Sequence, residues 1–128
     1  RMYPPAAFLS RTAMKADTLC GREIRAGDTV ILPIYALHRH HMLWEEPDRF
    51  DPSRFADPKA IDRFAYLPFG DGPRICIGAN FALQEAVIAL AALLRRFRFT
   101  CTADCKPWPV QKLTVQPEGG LPMTITRR

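Results

Sequence analysis

Residues Phe69–Gly78 read FGDGPRICIG, and this stretch decides how the rest of the chain is interpreted. From average residue usage, its combination of Phe, three Gly, Arg and Cys should arise by chance about once in a hundred million starting positions. Gly70 and Gly72 flank one residue of an irregular loop, where glycine adopts dihedral angles closed to other residues and lets a flat ligand approach the backbone. The stretch is therefore interpreted as a binding motif.

The chemistry of this motif centres on Cys76. Arg74 places a permanent cation two residues before the thiol, and a cation favours the thiolate, which is the form that binds metal. Gly78 then opens a long apolar helix, so we expect the sulfur near a helix N-terminus, where free amide N–H groups also favour negative charge. The spacing predicts a single thiolate ligand on a loop.

The stretch Phe69–Gly78 resembles the haem-binding loop of cytochromes P450, Phe-Gly-x-Gly-x-Arg-x-Cys-x-Gly. Arg1–Pro5 (RMYPP) resembles the residues at the end of the family's Glu-x-x-Arg helix, with Arg1 as the arginine. Trp44–Phe55 (WEEPDRFDPSRF) resembles the meander before the cysteine loop, with Ser53 where the family usually has glutamate. The matches occur in the family's order and cover essentially the whole chain.

The resemblance implies an α+β fragment, the C-terminal part of the mainly α P450 fold, with small β hairpins and a long buried helix after the cysteine loop. Residues 1–128 are expected to be one continuous piece of a single domain. The N-terminal part of that domain, including the distal oxygen-activating helix, would precede Arg1.

The residues themselves predict the local elements. Turn signals and β-rich runs predict one hairpin within Gly21–Leu37, between residues 22–25 and 29–32, and a final hairpin within residues 113–126. Frequent prolines and aromatics predict an ordered irregular meander over residues 42–68. A helix from about Ala79 to Arg96 is apolar around most of its axis, which is typical of a core helix.

By resemblance, Cys76 is expected to be the axial ligand of a haem b iron. Arg74 and Arg11 are expected at the propionates, since arginine suits forked carboxylate recognition. For Arg11 the alternative is an exposed strand arginine, and for His38 it is a structural histidine. The cofactor-binding set implied by the family comprises Phe69, Gly70, Gly72, Arg74, Cys76, Gly78, Arg11 and His38.

Structural and substrate-side positions follow from the same resemblance. Arg1 and Arg54 are expected to form ion pairs with a glutamate that precedes Arg1. Leu113 is a candidate substrate contact, with ordinary core as its alternative. The other candidates lie just after the proline pair and are Ala6, Ala7 and Phe8.

The implied function is that of a haem-thiolate monooxygenase, which inserts one atom of O2 into a small apolar organic substrate. Its electrons would come from a partner such as a ferredoxin, flavodoxin or flavin reductase. The isolated fragment is expected to be inactive, because the oxygen-activating part would be missing. The alternatives are a non-catalytic haem-thiolate binding or sensing protein and an inactive truncated remnant.

The net charge of +5 raises the question of a nucleic-acid partner. The arginines are scattered, apart from Arg95, Arg96 and Arg98, so nucleic acid is not expected. This cluster is interpreted as stabilising the C-terminal end of the long helix, or alternatively as a docking surface for an acidic electron-transfer partner.

The cysteines and the apolar runs bear on zinc, redox environment and membranes. Cys101 and Cys105 lack a second pair that would complete a zinc site, unless a distant fold adds His38, His40 and His41. A reduced, cytoplasmic environment is expected. The uninterrupted apolar run Ala86–Leu94 is shorter than the roughly twenty residues that a membrane span requires.

Overall fold

The computed structural model describes residues 1–128 apart from the side chain of Pro58. Two compact units divide the chain, Arg1–Pro68 and Phe69–Arg128. The first unit contains β1 (Leu9–Thr12), β2 (Asp17–Leu19), β3 (Arg22–Ile24), β4 (Thr29–Leu32), α1 (Ile34–Leu37) and two 3₁₀ helices, Pro52–Phe55 and Pro58–Ala60. The second contains a 3₁₀ helix (Gly72–Arg74), α2 (Ala79–Arg96), β5 (Phe97–Cys101), β6 (Pro109–Gln111), β7 (Val115–Pro117) and β8 (Met123–Arg127).

The strands of the first unit form two nested antiparallel pairs, with β2–β3 inside β1–β4. The predicted hairpin between residues 22–25 and 29–32 is therefore wrong in its pairing, although both strands exist. Cys20 and Gly21 have φ angles of 49° and 75°, and such a two-residue turn closes β3 onto β2. Ala13 exchanges backbone hydrogen bonds of 2.8 Å with Asp28 and Gly27, which directs β4 to β1.

The second unit repeats this nesting, with β6–β7 inside β5–β8. The predicted final hairpin is wrong for the same reason, because β7 and β8 each pair with a different, earlier strand. The amide of Lys112 donates to the carbonyl of Thr114 over 3.1 Å. This contact closes a tight turn at Leu113 and sets β7 against β6, so β8 is left to pair with β5.

Aromatic side chains hold the irregular part of the first unit. Phe55 and Tyr66 lie 5.0 Å apart between ring centroids, and Trp44 lies 6.2 Å from Phe55. Trp44 is buried and Ile34 and His38 are fully buried. The meander over residues 42–68 is thus ordered, as predicted, with packed rings in place of long regular elements.

His38 ties two distant backbone segments together. Its Nε2 accepts a 2.9 Å hydrogen bond from the amide of Leu67, and its Nδ1 lies 3.3 Å from the carbonyl of Arg1. These contacts fit a neutral ring with the proton on Nδ1. Burial, followed by neighbouring positive charges, lowers the pKa of His38 to about 4.

The long helix α2 has the predicted bounds, Ala79–Arg96. Its predicted burial is not reached within these residues, since none of them is buried and Phe81 and Val87 are 71% and 67% exposed. Within its unit, β5 contacts the helix. Among the helices described, none is long and apolar enough to cross a membrane.

We predict that the free energy of unfolding of the intact protein decreases as the pH falls from about 6.5 toward about 4. Over this range unfolded His38 takes up a proton that the folded state excludes, which costs at most about 3 kcal/mol. His38→Asn should remove this part of the pH dependence, whereas His40→Asn, at an exposed position, should keep it. Urea titrations across this pH range measure the slope, and an unchanged slope in His38→Asn would contradict the prediction.

Candidate functional site

Backbone hydrogen bonds close the loop that carries Cys76. The amide of Cys76 donates to the carbonyl of Phe69 over 2.9 Å, and the amide of Ile75 donates to the carbonyl of Gly72 over 3.1 Å. Gly70 and Gly72 have φ angles of 73° and 72°, in the region that favours glycine. The two glycines thus let the chain double back and place Phe69 directly against Cys76.

The sulfur of Cys76 lies beside the first residues of α2. A methyl group placed on Gly78 would lie 3.9 Å from Sγ, and the amide of Ala79 donates to the carbonyl of Cys76 over 3.3 Å. Gly78 is the N-cap and offers no side chain to the free amides of the first turn. The thiol is exposed. An exposed sulfur at the positive end of a helix is well placed to act as an anionic ligand.

Arg74 ends the short 3₁₀ helix Gly72–Arg74 and is exposed. Among the residues described, no side chain or carbonyl pairs with its guanidinium through a hydrogen bond or an ion pair. Its forked donor set is therefore free for a carboxylate.

The first unit places the other predicted haem contacts differently. Arg11 lies on β1 opposite Val30, is exposed, and donates to the carbonyl of Ser10 over 2.8 Å. His38 is fully buried and backbone groups contact both ring nitrogens. This arrangement favours the structural alternative for His38, since neither nitrogen is left for a propionate.

The candidate substrate-side residues are largely exposed. Ala6 and Phe8 are exposed and Ala7 is half-buried, and the carbonyl of Ala7 accepts a 2.9 Å hydrogen bond from the amide of Tyr35. In the second unit, Leu113 is 95% exposed at the turn between β6 and β7. An apolar side chain so exposed is available to contact something outside its own unit.

Arg1 and Arg54 both hold backbone of the meander. The Arg1 guanidinium donates to the carbonyls of His38, Pro47 and Arg49 and lies 4.9 Å from the Trp44 ring centroid. Arg54 donates to the carbonyl of Glu46 over 3.1 Å. Carbonyl acceptors carry no residue-type signal, so the sequence could not identify them.

The positive charges of Arg1 and Arg54 are not neutralised by an ion pair with any described acidic side chain. The Nε of Arg54 is buried without a partner among the described residues. Burial, then the cations of Arg54 and Arg39, lowers the pKa of Arg1. A buried donor beside two cations is a place where an additional carboxylate would fit.

The chain matches one family along nearly its whole length. The family model described as Cytochrome P450 matches residues 1–123. The chain is 39% identical over 129 residues to the putative cytochrome P450 132 of Mycobacterium tuberculosis, covering 100% of this chain and 28% of that protein. It is 40% identical over 124 residues to cytochrome P450 4B1 of Rattus norvegicus, covering 94% of this chain and 24% of that protein.

A solved structure extends the comparison to the fold. The crystal structure of the cytochrome P450DA heme domain matches with a TM-score of 0.89 at 36% identity, covering 99% of this chain and 28% of that one. This match confirms the predicted fold class. The chain spans about a quarter of the length of the curated relatives it matches.

We predict that Gly72→Val destabilises the intact protein by about 1–2 kcal/mol, because a β-branched residue is strained at a φ of 72°. No atom of the described residues lies within 4 Å of a Cβ built on Gly72, so lack of space makes no contribution. Gly72→Asn should cost less than half as much, since asparagine tolerates this region. Thermal unfolding of the two variants measures the difference, and equal losses would show that the left-handed conformation is not the cause.

Proposed function

Because the chain belongs to the cytochrome P450 family, we propose that it carries the haem-binding portion of a haem-thiolate monooxygenase, with Cys76 as the axial ligand of haem b. The intact protein would insert one atom of O2 into a small apolar organic substrate. A partner of the ferredoxin, flavodoxin or flavin reductase class would supply the electrons. The observation that carries the proposal is the exposed Cys76 thiol at the start of α2, held through its amide by Phe69.

The donor set at Cys76 fits a haem. No group of three or more His, Cys, Asp or Glu side chains is arranged to hold a metal ion in the part of the chain that the structure describes. A metal at Cys76 would therefore have to bring further ligands with it, and a haem iron brings four ring nitrogens. The loop presents glycine at positions 70, 72 and 78, which leaves room for a macrocycle near the sulfur.

The positive charge of Arg74 supports the same proposal. Haem carries two propionates, and Arg74, two residues from the thiol, offers a guanidinium that has no partner among the described residues. Arg11 is the second propionate candidate, and one backbone carbonyl contacts it. We assign His38 a structural role.

The residues of this chain would bind and tune the cofactor. Haem with a thiolate ligand supplies oxygen activation, since the sulfur pushes electron density toward cleavage of the O–O bond. Cys76 provides the sulfur, and the Phe69 carbonyl fixes the backbone that positions it. The half-buried Phe69 ring would limit water near the sulfur, which tunes the potential of the iron through its surroundings.

We also propose that residues 1–128 are only part of one domain. Residues 1–128 would form the C-terminal portion of one P450 domain, with further segments covering what is exposed here. Two observations support this: the apolar side chains of α2 lie open, and the buried Nε of Arg54 has no partner among the described residues. A glutamate from an earlier segment would complete the ion pairs at Arg1 and Arg54. The same segments would enclose the substrate, with Ala6, Ala7, Phe8 and Leu113 as contacts.

We predict that Cys76→Ser in the intact protein abolishes the red-shifted Soret band of the ferrous–CO complex, because a serine hydroxyl does not supply a thiolate. Cys101→Ser is the matched control, since Cys101 is also an exposed free thiol of the second unit. It should leave the band unchanged. Retention of the band in Cys76→Ser would disprove the assigned ligand.

We predict that Arg74→Gln releases haem about tenfold faster than the wild type, because a charge-assisted pair to a propionate is lost. The rate of haem release from Arg74→Lys should lie between those of the wild type and Arg74→Gln, because lysine keeps the positive charge but lacks the paired donors of the guanidinium. Transfer of haem to excess apomyoglobin measures the rates. Arg98→Gln, an exposed position on β5, serves as the control, and equal rates for Arg74→Gln and this control would remove Arg74 from the site.

A further inference from the structure

A second charged feature lies at the other end of α2. Arg95 and Arg96 form the last turn of the helix, and antiparallel pairing of β8 with β5 places Arg127 opposite Phe97. The amide of Arg128 donates to the carbonyl of Arg96 over 2.9 Å. A concave cleft of about 590 Å³ results, which we call the arginine cleft, and it is lined by Arg95, Arg96, Phe97, Arg127 and Arg128.

The arginine cleft concentrates positively charged side chains of the second unit. The second unit has eight Arg and Lys residues and four Asp and Glu residues, so half of its basic side chains line the cleft. None of its acidic side chains does. In the part of the chain that the structure describes, none of the four guanidiniums forms an ion pair or a side-chain hydrogen bond.

Distance keeps the nearest acidic residue of the helix from neutralising the cleft. Glu85 lies ten residues before Arg95 on α2, which corresponds to about 15 Å along the axis. This exceeds the screening length of about 8 Å at physiological ionic strength. The four cations therefore repel one another in a shared concave site, and a bound anion would relieve that repulsion.

Helix capping accounts for only part of the cluster. Cations in the last turn interact favourably with the helix dipole, which explains Arg95 and Arg96. Arg127 ends a strand and Arg128 follows it, and four cations exceed the roughly half an elementary charge that the C-terminal end of a helix offers. The convergence of two sequence-distant arginine pairs calls for a ligand with several negative charges.

We propose that the arginine cleft is a binding site for a compact polyanion that carries two or more linked phosphate groups. Each phosphate can accept two parallel hydrogen bonds from one arginine guanidinium. Linked phosphates also place several negative charges within one small volume. An acidic polypeptide spreads its charges over separate side chains and does not require a concavity. This site is independent of Cys76 and of the proposed oxygenase activity.

The test is calorimetric titration of tripolyphosphate into the intact protein at about 0.15 M salt. The double variant Arg95→Gln/Arg127→Gln should bind at least about tenfold more weakly, since it loses two charge-assisted pairs. The double variant Arg22→Gln/Arg25→Gln removes the same charge from the first unit, at exposed positions on and just after β3. It should bind as the wild type does. Unchanged circular dichroism and haem spectra show that the variants fold.

Three results would overturn the proposal: no binding of tripolyphosphate to the wild type, an equal loss of affinity in both double variants, or tighter binding of a hexaglutamate peptide than of tripolyphosphate. Vesicles that contain a phosphoinositide bisphosphate separate the two sources of linked phosphates. If the protein binds both tripolyphosphate and these vesicles, and the cleft variant loses both, the ligand is a lipid headgroup. If the protein binds tripolyphosphate but not the vesicles, the ligand is a free metabolite. A missing Soret band with intact tripolyphosphate binding would count against the oxygenase alone.

Discussion

The hydrogen bond from the Cys76 amide to the Phe69 carbonyl is the contact on which the candidate site depends. Cys76 lies seven positions after Phe69, and the chain closes over that distance because Gly70 and Gly72 adopt left-handed conformations. The closure fixes three things together: the thiol at the start of α2, the Phe69 carbonyl that accepts from its amide, and Arg74 on the intervening turn. A change in any of these angles would displace the sulfur relative to the cation.

In the first unit, hydrogen bonds from side chains help to hold the irregular segments in place. Its meander has few regular hydrogen bonds, so long side chains reach carbonyl groups instead, with Arg1 and Arg54 as the donors. The neutral ring of His38 links two further segments. Such contacts are strong when they are buried, and each remaining unpaired donor costs free energy. The unit is therefore ordered but leaves three buried donors without a partner among the described residues, namely Nη1 of Arg39, Nε1 of Trp44 and Nε of Arg54.

The sequence predicted what local signals encode. The bounds of α2 follow from its apolar composition between Gly78 and the Arg95–Arg96 pair, and β-rich runs indicate β3, β4, β7 and β8 but not β1, β2, β5 and β6. Strand partners could not be predicted, because the nesting depends on the turn at Cys20–Gly21, and cysteine at positive φ has no sequence signature. The arginine cleft was hidden for a similar reason, since Arg95 and Arg127 lie about thirty residues apart and meet only through the register of β5 with β8.

The nesting of the hairpins also lowers the entropy cost of forming the outer strand pairs. Closing β2 onto β3 needs only a two-residue turn, whereas joining Thr12 to Thr29 directly would close a loop of sixteen residues. Once the inner pair has formed, much of that loop is already ordered, so the entropy lost on closing the outer pair is smaller. We therefore expect the inner pairs to form before the outer ones, because each outer pair then closes a loop that is already largely ordered.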